Sequence, residues 1–226
     1  MAKLSKEEKA RKKAEEMEGW PTYGAPGHEV KPDPKQIYAT PDPFMKWVGT
    51  FWGERTLDAC ALLHNAKARN FIGPPGYVPE SQGQGLPLWL AEDGLKSPWN
   101  VEGLGRPMVW CNPGFADVEP WLEKALEESI DRDAHVLLLT HVSTARWFRK
   151  FHKHATVWLP YPRIDFIAPN ELETSDSNPR DSMLWEFCKH SGIGQVIVPE
   201  EWPKPKKVRK ARKPQKAPEE TKDQQA

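Results

Sequence analysis

No stretch of about 18 uncharged apolar residues occurs in this 226-residue chain, so the usual signature of a membrane-crossing helix is missing. The Lys-rich start also lacks the apolar core of a secretory signal, and a soluble, cytoplasmic protein with no membrane partner is expected. Cysteine is scarce. Cys60, Cys111 and Cys188 are odd in number and include no C-x-x-C pair, which argues against a disulfide framework and a zinc ribbon and leaves free buried thiols. Histidine spacing offers no metal site either. His152 and His154 are two residues apart and cannot share a helix face, and no carboxylate spacing completes a set with His64 or His141. No metal is expected.

Net charge is also lacking, since 32 basic residues balance 32 acidic ones, but the balance hides a pole. Residues 20–202 carry 17 basic and 24 acidic side chains, whereas residues 203–226 carry 9 and 3. The tail, which includes Lys206, Lys207, Arg209 and Lys210, is rich in Pro and charge and poor in apolar residues. Such a segment cannot bury enough surface to order itself, and two uses are open: a basic arm for a phosphate backbone, or a solubilising appendage. At the other end, residues 1–37 are charged and then Pro-rich, with prolines at 21, 26, 32 and 34. They are expected to be a partly disordered leader, which leaves residues 38–202 as a single folded domain.

What is present between these ends is an alternation of strand and helix. A helix is expected over Pro43–Trp52, followed by a buried strand over Arg55–Ala61 with Asp58 near its end. The Gly- and Pro-rich stretch from Gly73 to Gly105 is expected to be mostly loop, and Met108–Cys111 a second strand. Asp117 is a candidate N-cap for a helix reaching about Ser129, because Val118, Trp121, Leu122, Ala125 and Leu126 fall at helical spacing. Val136–Thr140 is expected as a strand, Ser143 as the cap of a helix through Phe151, Thr156–Leu159 as a strand and Met183–Cys188 as a late edge strand. The alternation predicts an α/β fold with a mostly parallel sheet and helices on both faces, in which ligands bind beyond the carboxyl ends of the strands. Asp58 and Asn112 both fall at such ends. Eleven tryptophans are many. Trp110, Trp121, Trp147, Trp158 and Trp185 lie in periodic apolar segments and should be core, while Trp89 and Trp99, in the Gly-rich stretch, are better placed for contact with a nucleic acid.

The second strand runs directly into Asn112-Pro113-Gly114-Phe115. The Asn112 side-chain oxygen and the Pro113 carbonyl can each accept a hydrogen from an exocyclic amine, and Phe115 offers a face on which an extruded base can stack. That pairing suits chemistry on the amine of a nucleobase, whose lone pair must be drawn out of the ring.

The stretch from Tyr38 to Trp185 resembles the phage-type DNA N-6-adenine methyltransferase family. The resemblance rests on Thr40-Pro41, Leu57-Asp-Ala-Cys-Ala61 with Asn65, Asp93-Gly-Leu-Lys-Ser-Pro-Trp99, Val109-Trp-Cys-Asn-Pro-Gly-Phe115, Trp121 to Ala125, Arg163-Ile-Asp-Phe166 and Ser182-Met-Leu-Trp185. It implies a Rossmann-like methyltransferase that uses S-adenosylmethionine on adenine in DNA, of the phage or restriction-modification kind and working in the host cytoplasm if phage-encoded. By the same resemblance, Asp58 anchors the amino end of the donor beside Ala59 and Cys60. Thr40 and Pro41 lie against the donor, and Asp93 contacts its adenosine part. Arg163 either contacts DNA or pairs with an acid in the core. The sequence departs from the family at Gly114, where a second proline is usual, and the donor loop lacks the Gly-x-Gly of other methyltransferases. Three activities stay open at this point: adenine methylation, methylation of another amine such as that of cytosine, and DNA binding by an inactive methyltransferase core.

Overall fold

The computed structural model describes residues 38–62, 65–73, 88–103, 105–167, 180–189, 194–199 and 201–202. The leader, His64 and the basic tail with Lys206, Lys207, Arg209 and Lys210 lie outside the described residues. Pro41 and Pro43 start helix α1, Asp42–Trp52, where a fixed φ suits the first turn. It buries Phe44, Met45, Trp47 and Val48, four positions at helical spacing. Eight strands follow in chain order: β1 Leu57–Asp58, β2 Asn70–Ile72, β3 Leu88–Ala91, β4 Met108–Cys111, β5 His135–His141, β6 Thr156–Trp158, β7 Ser182–Phe187 and β8 Val196–Ile197. Helix α2, Glu119–Asp131, lies between β4 and β5, and α3, Arg146–Phe151, between β5 and β6.

All eight strands form one mixed sheet in the order β3-β2-β1-β4-β5-β7-β6-β8. Strands β3 through β5 pair in parallel, and β7 runs antiparallel between β5 and β6. The strand order reverses between β1 and β4, and such a switch point opens a crevice at the carboxyl ends of the two strands. Asp58 ends β1, paired with Trp110, and Asn112 follows the last residue of β4.

Alternate residues of the central strands turn to opposite sides. Val109, Cys111, Val136 and Leu138 pack with Leu122 and Ala125 of α2 and Phe151 of α3. Trp110, Leu137, Leu139 and Leu184 pack with Phe44, Trp47 and Val48 of α1. Burying a Leu or Phe side chain contributes roughly 1.5–3 kcal/mol, so these two clusters hold the sheet.

Several expectations need correction. The Met183–Cys188 segment is not an edge strand but an inner one, pairing with β5 over six residues and with β6 over three. The first strand is two residues long rather than seven; the stretch expected to be mostly loop carries one four-residue strand, β3, among its described residues. Asp117 does not cap α2: Val118 holds the N-cap position without a side-chain bond, and Pro120, which has no N–H to cap, sits in the first turn. Ser143 accepts a hydrogen bond from the Ala145 N–H in the preceding turn, so α3 begins at Arg146 with Ala145 as its N-cap. Trp99 is not placed to meet DNA. It is fully buried, donates through Nε1 to the Gly94 carbonyl at 2.7 Å and through its backbone N–H to Glu128 at 3.1 Å. Trp89 is half-buried and donates to the Gly73 carbonyl.

Candidate active site

Three loops meet at the carboxyl end of the first three strands. Gly73 follows β2 and Gly94 follows β3, and both press on the loop after β1. A Cβ at Gly73 would stand 1.8 Å from the Ala61 carbonyl oxygen, and one at Gly94 would stand 2.1 Å from that of Ala59. Only glycine permits this approach. Beneath it lies Asp58, 2% exposed, whose two carboxylate oxygens accept from the backbone N–H of Cys60 at 3.3 Å and of Lys67 at 2.9 Å. Burial pushes the Asp58 carboxyl up to about 6, more than those two backbone bonds and the charges of Lys67 and Arg55 hold it down. The Lys67 ammonium is committed elsewhere, to Asp42 at 2.8 Å. Asp58 is thus a buried carboxylate with no cation bonded to it among the described residues, and each oxygen keeps a lone pair. A ligand ammonium fits that deficit. Burial, with the Asp58 and Asp93 charges after it, raises the neighbouring Cys60 thiol to about 12, so it stays protonated. Asp93 accepts from the Leu95 N–H and pairs with Lys96 at 3.0 Å, bonds that keep its carboxyl below the ordinary value.

On the next strand, the Asn112 side-chain nitrogen donates to the Thr40 hydroxyl at 3.1 Å. Thr40 is itself buried, and its segment is fixed by paired backbone bonds of 2.9 Å between Ala39 and Ile167. In this arrangement the amide nitrogen faces Thr40 and the Asn112 oxygen points away as an acceptor. Pro41 is buried and starts α1 beside it, and Pro113 is buried next to Asn112. The half-buried Phe115 ring lies 6.0 Å from Phe166, edge to face, and 5.8 Å from His141. Gly114 is half-buried between them, and its φ is not positive. Asn112, Pro113, Phe115, Thr40 and Pro41 therefore come together, with Asp58 on the adjoining strand. Arg163 is exposed on the segment that leads to Phe166.

Sequence reasoning missed Phe166 and His141 as walls of this site. The signal for His141 was its place at the carboxyl end of an apolar strand, the same place that marked Asp58 and Asn112. A second group also escaped it: His135, Glu186 and Cys188 bring ligand atoms within 4.8 Å of one another. The Glu186 carboxylate there already accepts from Trp52 at 3.0 Å, Trp158 at 2.9 Å and His135 at 2.9 Å. Burial would raise its carboxyl, but those hydrogen bonds outweigh burial and lower it. Hydrogen bonding accounts for the pairing of His135 with Glu186.

The sequence profile of the DNA N-6-adenine-methyltransferase (Dam) family matches residues 88–208, just over half of the chain. A curated relative, the DNA N-6-adenine-methyltransferase of Haemophilus phage HP1 (strain HP1c1), is 27% identical over 171 residues, covering 74% of this chain and 87% of its own length. No solved structure matches. No helix among the described residues is long and apolar enough to cross a membrane. The matched region contains β4, the loop from Asn112 to Phe115 and the strands that flank them, and on this ground the chain belongs to the DNA N-6-adenine-methyltransferase family.

Proposed function

We propose that this enzyme methylates the N6 amine of adenine in DNA through Asn112, Pro113 and Phe115, with S-adenosylmethionine held by Asp58 and the Thr40-Pro41 segment. The fold that goes with this reading is a Rossmann-like methyltransferase with α1 on one face of the sheet and α2 and α3 on the other. The observation that carries the assignment is the Asn112 amide, whose nitrogen is taken by Thr40 so that its oxygen is left to accept. S-adenosylmethionine, when bound, supplies an electrophilic methyl group on a sulfonium. The remaining work falls to this chain. The Asn112 oxygen and the Pro113 carbonyl accept the two amine hydrogens, which draws the nitrogen lone pair out of the ring toward the methyl. Phe115 stacks on the extruded base, Asp58 pairs with the donor ammonium, and Asp93 faces the adenosine part. Exposed Arg163 and the basic residues Lys206, Lys207, Arg209 and Lys210 contact phosphates.

The experiment is transfer of a labelled methyl group from S-adenosylmethionine to duplex DNA, followed by nucleoside analysis. Label in N6-methyladenine is expected. Label in cytosine, or donor binding without turnover, would overturn the reading.

A further inference from the structure

Beyond Asn112 on the sheet, two buried polar atoms have nothing to bond among the described residues. The Nδ1 of His141 and the Oγ of Ser182 are both shielded from solvent, and neither has a hydrogen-bond partner among the described residues. Ser182 is 3% exposed. The two residues stand directly opposite each other where β5 and β7 pair antiparallel, so their side chains leave the same face with Cβ atoms roughly 4.5–5.5 Å apart. Leaving a buried polar atom unbonded is costly, and two side by side next to the Phe115 ring suit a place that a ligand completes once it displaces what covers them.

The position of the pair names that ligand. Cys111 pairs with Leu138, so Asn112 is level with Leu139, and His141 stands two residues farther toward the open end, about 7 Å along the strand. Its ring lies 5.8 Å from that of Phe115 and 5.6 Å from that of Trp147. A base stacked on Phe115 with its amine at Asn112 turns a ring edge toward this pair. We propose that His141 and Ser182 read the target base, hydrogen-bonding the ring nitrogen beside its amine; this rests on the base-methylating reading above. Burial, and after it the charge of Arg180, lowers the His141 pKa, so at neutral pH the imidazole holds one donor and one acceptor nitrogen. The Ser182 hydroxyl can rotate to donate or accept. Together they suit a ring nitrogen, an acceptor, and would be left unpaired by a carbon in its place.

The test uses full-length protein and duplexes carrying adenine, 1-deazaadenine or 7-deazaadenine at the target, with Ser182→Ala and His141→Gln variants. On 1-deazaadenine, which lacks the ring nitrogen beside the amine, the parent should lose about 3- to 10-fold in kcat/KM, and a loss confined to 7-deazaadenine would overturn the assignment. Each variant should lose a similar factor on ordinary adenine and lose little more on 1-deazaadenine. Equal analogue penalties in the parent and both variants would overturn the proposal. Thermal unfolding without DNA gives a second readout. Ser182→Ala removes an unbonded buried hydroxyl, so its Tm should hold or rise, and a clear fall would make Ser182 structural and overturn its role. Adenine methylation by the parent, abolished in Asn112→Ala, tests the underlying reading separately. If both hold while the analogue cycle shows no coupling, only the base-reading pair is wrong.

Discussion

The two ends of strand β5 carry the same residue type in opposite circumstances. His135, at the start, bonds Glu186, and that carboxylate also takes the N–H groups of Trp52 and Trp158. At the other end, beside Phe115, His141 keeps a buried ring nitrogen without a partner among the described residues. One end is closed, with the His135 ring and the two indoles all answered by the Glu186 carboxylate. The other is open: His141 Nδ1 and the Ser182 hydroxyl have no partner among the described residues, the Asn112 oxygen faces away from Thr40, and the Asp58 carboxylate is met by two backbone N–H groups and no bonded cation among those residues. Substitution at the closed end should change stability and spare chemistry, and substitution at the open end should do the reverse.

The largest effect expected is at the open end. Asn112→Ala should retain the fold and donor binding yet lower methyl transfer by on the order of 100-fold or more, the scale seen when one preorganised polar group is removed from a reacting centre. Transfer at the parent rate would break the comparison at its strongest point. Next is the closed end, where Glu186→Ala leaves three donors without their acceptor and should cost about 2–3 kcal/mol of stability. Turnover per folded molecule should be unchanged in this variant, and calorimetry with active-site titration reads both.

The third prediction sets the two carboxylates against each other through pH. The Glu186 carboxyl is lowered in the fold, so its contribution is present above the ordinary carboxylate range and is lost as pH falls through its folded value. That of Asp58 is raised to about 6, so ionising it costs stability as pH rises from its ordinary range through 6. The ionised form is the one that binds an ammonium. Donor affinity should therefore increase as pH rises through about 6, and Asp58→Ala should weaken it at least tenfold, since a charge-assisted hydrogen bond contributes ~1.5–3 kcal/mol. Isothermal titration across pH 5–8 with a flat profile would remove Asp58 from the donor site.

The smallest effect belongs to neither end. Removing residues 203–226 should weaken DNA binding alike for all sequences and lower the slope of log affinity against log salt by roughly 0.9 for each phosphate that the tail no longer neutralises. Parallel slopes and equal affinities in a salt titration would make the tail a solubilising appendage.

Much of this contrast was legible along the chain, because it depends on local chemistry. Pro43 and the spacing of Phe44, Trp47 and Val48 announce α1, and Met108–Cys111 announces β4 with the loop that follows. Pairing across the sheet was not legible. Ser182 and His141 are forty-one positions apart, and only the register of β7 against β5 sets them side by side. The same limit made β7 look like an edge, since its two neighbours come from segments whose own periodicity says nothing of lateral order. Trp99 failed for a related reason. Glycines around it signalled loop, but a loop can be packed, and Glu128 and the Gly94 carbonyl hold this one in the interior.

The strand order has a consequence for how the molecule could be divided. Strands β1 and β2 come from the part of the chain before the matched region, yet they lie between β3 and β4, which belong to it. Without β1 and β2, β3 has no partner strand and β4 loses one of its two neighbours, and the Thr40–Asn112 bond joins one portion to the other at the proposed reacting centre. If the chain were cut between residues 73 and 88, the two pieces would interleave like the fingers of clasped hands. Methyl transfer would then report their reassociation, appearing on mixing and following the concentration of the scarcer piece.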